Sequence, residues 1–383
     1  MGNNYLILFT TLLVNQVRGQ CKFTPNQLLG SNGAFTYQDA NGNLQLQLSS
    51  VVQVGATLTM YCGGEETHTI TCKQDKKIFL FEPKLPITCG TKLSTDTVIR
   101  YNDRKEDYSD CKKTMYSIGH KIKGQFLKLY DACYDTVKLR AVFTQATVFP
   151  HVAHLARPKD ILFSHEPVMS AFDANSFSQN YIYTRFVKLY GQSQKFVPLI
   201  TDVKKEVKTE VKTGINRGHL TDSSSFLFED QISLTYKVIN IVPQFASING
   251  GNWKKISEWL NTLSLNSRLT VRTGAMDTLQ LLFKQPNRRN VNKPAYLIDD
   301  GKNPVPKWIY KIISSNAPDG TRTPMIAFLS YNNDKMDPEP SKTLCTEIEC
   351  PLVFDMSVES GKIKCCNAVT FIRELKQIYI DDK

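Results

Sequence analysis

Residues Asn216–Leu263, NRGHLTDSSSFLFEDQISLTYKVINIVPQFASINGGNWKKISEWLNTL, decide how the rest of the chain is read. The stretch opens on an Arg217-Gly218-His219 turn, where two functional side chains two apart project to one side of an extended segment. Gly218 between them lets a second backbone or a phosphate come close. In YKVINIV the period-two rule predicts a strand with Tyr236, Val238 and Asn240 on one face. An asparagine inside such an apolar run needs hydrogen bonds, either from neighbouring backbone or from a site it helps to build. NGGNW then predicts a helix start, because Trp253, Ile256, Leu260 and Leu263 follow at helical spacing. Asn249 and Asn252 precede that helix, where a carboxamide caps free N–H groups. Alternatively, the Asn249 carbonyl oxygen suits a hard, hydrated cation such as Mg²⁺. A helix N-terminus beside such an ion also favours a phosphate. Histidine, carboxamides and a helix N-terminus in this order imply a small metal-and-phosphate site.

Outward from this stretch, composition narrows the class. The chain has 383 residues, 41% hydrophobic and 22% charged, a globular composition with room for two domains. Tyr5–Val14 is an apolar run too short to span a bilayer and suited to a signal peptide over residues 1–19, with Val17 and Gly19 before the cut. No later run is long enough to cross a membrane, so the expected protein is secreted, with no membrane partner. All ten cysteines follow residue 19 and include no C-x-x-C pair, which favours disulfides over zinc. Adjacent Cys365 and Cys366 are each expected to reach elsewhere. Losing Arg18 with the signal leaves 46 Lys and Arg against 36 Asp and Glu, a net charge of +10. That excess favours a polyanionic partner, with a merely solvated surface as the plain alternative.

Along the chain, residues 20–140 hold six cysteines and short alternating runs such as LQLQLSSVVQV and THTITC. These predict a disulfide-stapled, β-rich N-terminal module. Residues 141–383 form the second expected domain, with strand-like runs on both sides of the central stretch and an amphipathic segment, AVTFIRELKQIY, near the C-terminus. Tyr181–Leu199 reads as a strand or short helix followed by a strand. His151 and His154 are three apart, but Pro150 argues against the helix that would align them as ligands. The absence of a βαβ succession and of a Walker-type loop leaves an α+β class.

With RGHL (Arg217–Leu220), YKVINIVPQ (Tyr236–Gln244) and NGGNW (Asn249–Trp253) in this order and spacing, the chain resembles the DNA/RNA non-specific endonuclease family. The resemblance extends into Val271–Gly274, Val305–Ile313 and Ile326–Asn333. It is strongest to the secreted arthropod branch, among the salivary nuclease-related proteins of blood-feeding flies, the tsetse type included. It implies a ββα-metal nuclease domain with a mixed antiparallel sheet. It also implies His219 as general base, Asn249 as Mg²⁺ (or other divalent cation) ligand, Asn240 as an orienting group and Arg217 as support. The implied partners are DNA and RNA, with Arg185 the candidate for the arginine that steadies the phosphate. Departures accompany it. Asn216 stands where an acidic residue is usual, and Asp222 and Ser225 replace a proline and an aspartate. Ser257 stands where the family has a glutamate holding a metal-bound water, with Glu258 turned about 100° away. Asn261 stands where it has an arginine. Such changes around a metal site cost roughly 10–100-fold each in affinity or activity. The resemblance therefore implies weak or residual cleavage, with high-affinity nucleic-acid binding as the alternative.

Overall fold

A computed structural model describes residues 19–94, 98–100, 111–151, 162–199, 214–263, 267–283, 289–317, 319–335 and 344–381. Residues 1–18 of the expected signal peptide, His154 and the Lys-rich run 204–212 lie outside these residues.

Two sheets carry the fold. The first has five antiparallel strands: β1 Ala34–Gln38, β2 Leu44–Leu46, β3 Thr57–Tyr61, β4 Thr67–Asp75 and β5 Ile78–Glu82, in the order β2-β1-β3-β4-β5. Disulfides Cys21–Cys72 and Cys62–Cys89 staple it. Its core is small and aromatic: Phe23 stacks on Phe81 at 4.5 Å. Such a small core cannot supply much burial free energy, and cross-links offset this by restricting the unfolded chain.

The second sheet has eight strands. These are β6 Val98–Arg100, β7 Thr114–Ile122, β8 Gln125–Asp135, β9 Arg140–Val148, β12 Leu269–Thr278, β13 Pro306–Asn316, β14 Arg322–Tyr331 and β15 Ile363–Cys366. Their order is β15-β14-β13-β12-β9-β8-β7-β6, and every pairing is antiparallel. The disulfide Cys111–Cys133 ties the lead-in to β7 onto β8, and Cys345–Cys366 and Cys350–Cys365 hold the far edge. The fold is thus α+β with largely antiparallel sheets. The large sheet runs across residue 140, where the sequence placed its boundary: β8 and β9 are hydrogen-bonded neighbours. The change from one sheet to the other instead falls between β5 and β6.

The segment Tyr181–Leu199 resolves into one helix, α1 Gln179–Tyr190, with no strand after it. The helix α5 Ala368–Asp381 closes the chain. Among the described residues, no helix is long and apolar enough to cross a membrane.

Between β9 and β12 the chain leaves the sheet and builds a separate unit. Strand β10 Ile215–His219 pairs antiparallel with β11 Ile241–Phe245, joined by α2 Glu229–Leu234; helices α3 Ala246–Gly250 and α4 Asn252–Leu260 follow. Two anchors hold this unit. Leu227 and Phe228 enter the core of the small sheet, where the Phe228 ring lies 5.1 Å from both Phe23 and Phe35. Buried His120 on β7 bonds Asp230 of α2 at 2.8 Å. The predicted helical stripe is present: Trp253, Ile256 and Leu260 are buried on α4.

Candidate active site

The ladder β10–β11 sets the first part of the site. Its register pairs Asn216 with Gln244, Arg217 with Pro243 and His219 with Ile241. Proline cannot donate to a ladder. Asn332 anchors this strand instead, donating to Pro243 O (3.1 Å) and Pro306 O (2.9 Å) and accepting from Phe245 N (3.1 Å). One buried carboxamide thereby fastens β11 to the large sheet. Gly218 is required by packing, since a Cβ there would meet the Gln244 Oε1 at 2.3 Å.

His219 is half-buried between two rings, Phe163 at 5.4 Å and Tyr236 at 4.8 Å. Phe163 reaches it because Ser164 bridges to the segment around Lys237, bonding Tyr236 O and Val238 N. Arg217 lies over the same Phe163 ring at 5.1 Å and over Phe177 at 5.9 Å, a cation–π arrangement. Arg217 and His219 therefore do share a side, as their spacing predicted, although the RGH segment is the end of strand β10 and not a turn. The aromatic walls limit the imidazole to few orientations.

Asn240 does not sit in a strand. Val238–Asn240 is a 3-10 turn, and β11 begins only at Ile241. The cause is the side chain itself. The fully buried Asn240 accepts from Thr221 N (2.8 Å) and donates to Thr221 O and Thr235 O, both at 2.9 Å. With both ends of its carboxamide engaged by backbone and the side chain fully buried, Asn240 fixes the loop after His219.

Asn252 is spent in the same way. It donates to Asp355 O and Gly361 O, both at 2.7 Å, and accepts from Asp355 N at 2.9 Å. These bonds clamp the start of α4 to the disulfide-held segment before β15. Gly251 permits the approach, since a Cβ there would lie 2.8 Å from Ser360 O. Asn249, at the end of α3, is half-buried, and its carboxamide makes no hydrogen bond among the described residues. Nor does it cap α4, whose N-cap is Gly251 with no side-chain cap bond. Of the three asparagines in the turn region, Asn249 retains its carbonyl oxygen for another partner.

Helix α4 returns along the ladder to the loop that follows His219. Ser257 donates to Asp222 Oδ2 at 2.7 Å, and Asn261, one turn on, donates to Ser224 O at 3.5 Å. Lys311 of β13, fully buried, also donates to Asp222 Oδ2. Sequence reasoning missed Lys311 and Asn332 altogether and noted Asp222 only as a departure. Arg185 is not part of this arrangement. Its Nε donates to Tyr296 O at 3.0 Å, its Nη2 to Ile298 O at 3.3 Å and its Nη1 pairs with Asp299. That guanidinium holds the 296–299 loop and is not the candidate phosphate group. A second possible ligand cluster, Cys62, Glu66 and His68, is ruled out by chemistry, because the Cys62 sulfur is bonded to Cys89.

Compared with known proteins, residues 108–369 match the family model for DNA/RNA non-specific endonuclease. The chain is 25% identical over 338 residues to a salivary endonuclease of Lutzomyia longipalpis, covering 85% of this chain and 75% of the relative. It is 23% identical over 261 residues to the salivary protein Tsal1 of Glossina morsitans morsitans, covering 65% of this chain and 61% of the relative. A solved chain from an EndoG/EndoGI complex aligns at 16% identity with a TM-score of 0.31, covering 56% of this chain and 76% of that one.

Proposed function

The chain belongs to the DNA/RNA non-specific endonuclease family, and from that premise we propose a secreted, divalent-metal-dependent nuclease cutting DNA and RNA with little sequence preference. The observation that supports this most is the division of labour among the asparagines. Asn240 and Asn252 are consumed by backbone, while Asn249 keeps its oxygen beside the start of a helix. A half-buried carboxamide oxygen is a hard donor, so the residues fit Mg²⁺, which takes few protein ligands and keeps most of its water. When bound, the ion would stabilise charge on the phosphate and on the leaving oxygen.

In this reading Asn249 binds the cation and the α4 N-terminus draws in the phosphate. His219, held between Phe163 and Tyr236, takes the proton from the attacking water, a role worth 10²–10⁴-fold in general. Arg217 adds positive charge on the His219 side of the ladder. The net charge supports the choice of a polyanion. Secretion is supported by the five disulfides and by relatives named as salivary.

A second reading, a nucleic-acid-binding protein of this fold with little turnover, is favoured by one observation. Helix α4 offers a hydroxyl at Ser257 and an amide at Asn261, where charged groups stand in the family it resembles. One experiment separates the readings: plasmid DNA and RNA incubated with Mg²⁺, with and without chelator, using wild type and His219→Ala. The nuclease reading expects chelator to stop cleavage and His219→Ala to lower it at least 100-fold. Equal rates for the two proteins would exclude it. Salt-steep binding that persists in chelator without any cutting would favour the second reading.

A further inference from the structure

The loop after His219 carries a carboxylate in an unusual setting. Asp222 Oδ2 accepts both from Ser257 of α4 and from Lys311 of β13, whereas Oδ1 accepts no hydrogen bond among the described residues. The two partners differ in exposure: the Lys311 side chain is 1% exposed and that of Asp222 12%. Lys311 also lies 5.4 Å from the ring of Trp253, the first large residue of α4, so its ammonium is fixed under the helix. Asn261 holds the same loop one helical turn further on. The result is a carboxylate pinned through one oxygen and open through the other. It stands three residues after His219 and is held by Ser257 of the helix that follows Asn249.

We propose that Asp222 is the positioning carboxylate of the cation site: Oδ1 receives hydrogen from metal-bound water, while Ser257 and Lys311 hold the group through Oδ2. The proposal rests on the metal-dependent reading above and specifies its solvent shell. Waters around a small dication are strong donors, and groups that accept from them set affinity by roughly 10–100-fold. Ser257 then has a definite task, as the donor that aims Asp222 from α4. A carboxylate at position 257 would face Asp222 across hydrogen-bond distance and compete for Lys311, so Ser257→Glu should weaken the site.

The test is Mn²⁺ titration of the nucleic-acid-free protein by calorimetry, with cleavage measured against Mg²⁺ concentration in parallel. Asp222→Asn retains an oxygen for Ser257 and Lys311 but lacks the charge. It should bind Mn²⁺ about 10–100-fold more weakly and need correspondingly more Mg²⁺ for half-maximal cleavage. Ser257→Glu should also bind more weakly, and the exchanged pair Asp222→Ser with Ser257→Glu should recover affinity relative to Ser257→Glu alone. Wild-type Mn²⁺ affinity in Asp222→Asn, or tighter binding in Ser257→Glu, overturns the proposal. His219→Ala separates this from the parent reading, since it should stop cleavage without changing Mn²⁺ affinity. Undiminished cleavage in that variant would instead overturn the nuclease reading.

Discussion

Two turns of the central unit are each built around an asparagine, and they use it in opposite ways. At the 3-10 turn, Asn240 is 0% exposed and bonded to the backbone of Thr221 and Thr235. At the α3–α4 turn, Asn252 takes over the structural task through Asp355 and Gly361, and Asn249 is left half-buried with its oxygen uncommitted. The same functional group is frame in one region and, in the function proposed, chemistry in the other. What distinguishes them is whether the surrounding backbone already meets the amide's hydrogen-bonding capacity.

Substitutions can break that comparison. The largest expected effect is on cleavage by Asn249→Ala, a fall on the order of 10³-fold, because loss of the ligand removes the charge stabilisation a metal supplies. The melting temperature should hardly move. Asn240→Ala should do the reverse and act first on stability. It strands the N–H and the carbonyl of Thr221 in the interior, at 1–3 kcal/mol per buried unpaired group, or at least about 2 kcal/mol together. Chemical denaturation would show this as a lower midpoint. If Asn240→Ala unfolds normally yet cannot cut, the two turns are not divided as described.

A smaller effect comes from outside the unit and sharpens the reassignment of Arg185. Hydrogen bonds from Lys188 and then Arg185 hold the Asp299 carboxyl below the usual carboxylate range. A depressed carboxylate contributes stability that is present above its unfolded value and lost as pH falls through the folded value. Asp299→Asn should therefore lower the melting temperature slightly at neutral pH, and the difference should close below about pH 4. Cleavage should be unaffected. A large loss of cleavage would return Arg185 to the phosphate.

Local patterns were readable where one residue's surroundings are its own neighbours in sequence. The α4 stripe, the shared side of Arg217 and His219 and the strands around Val271, Ile309 and Ala327 follow from periodicity alone. What escaped depends on distant partners. YKVINIV has a strand's alternation, but Asn240 bonds Thr221 across 19 residues and curls the run into a turn. Ser257 looked like a lost acid until Asp222, 35 residues away, and Lys311, 89 residues beyond Asp222, met at one oxygen. The sheet boundary escaped because cysteine density marks stapling, and Cys111–Cys133 staples the large sheet just as Cys21–Cys72 and Cys62–Cys89 staple the small one.

The central claim is that Asn249 is the ligand and Asn240 the frame. Mn²⁺ titration of folded, nucleic-acid-free Asn249→Ala tests it most directly. The account predicts no saturable site in a protein that melts like wild type. Wild-type affinity in that variant would contradict it.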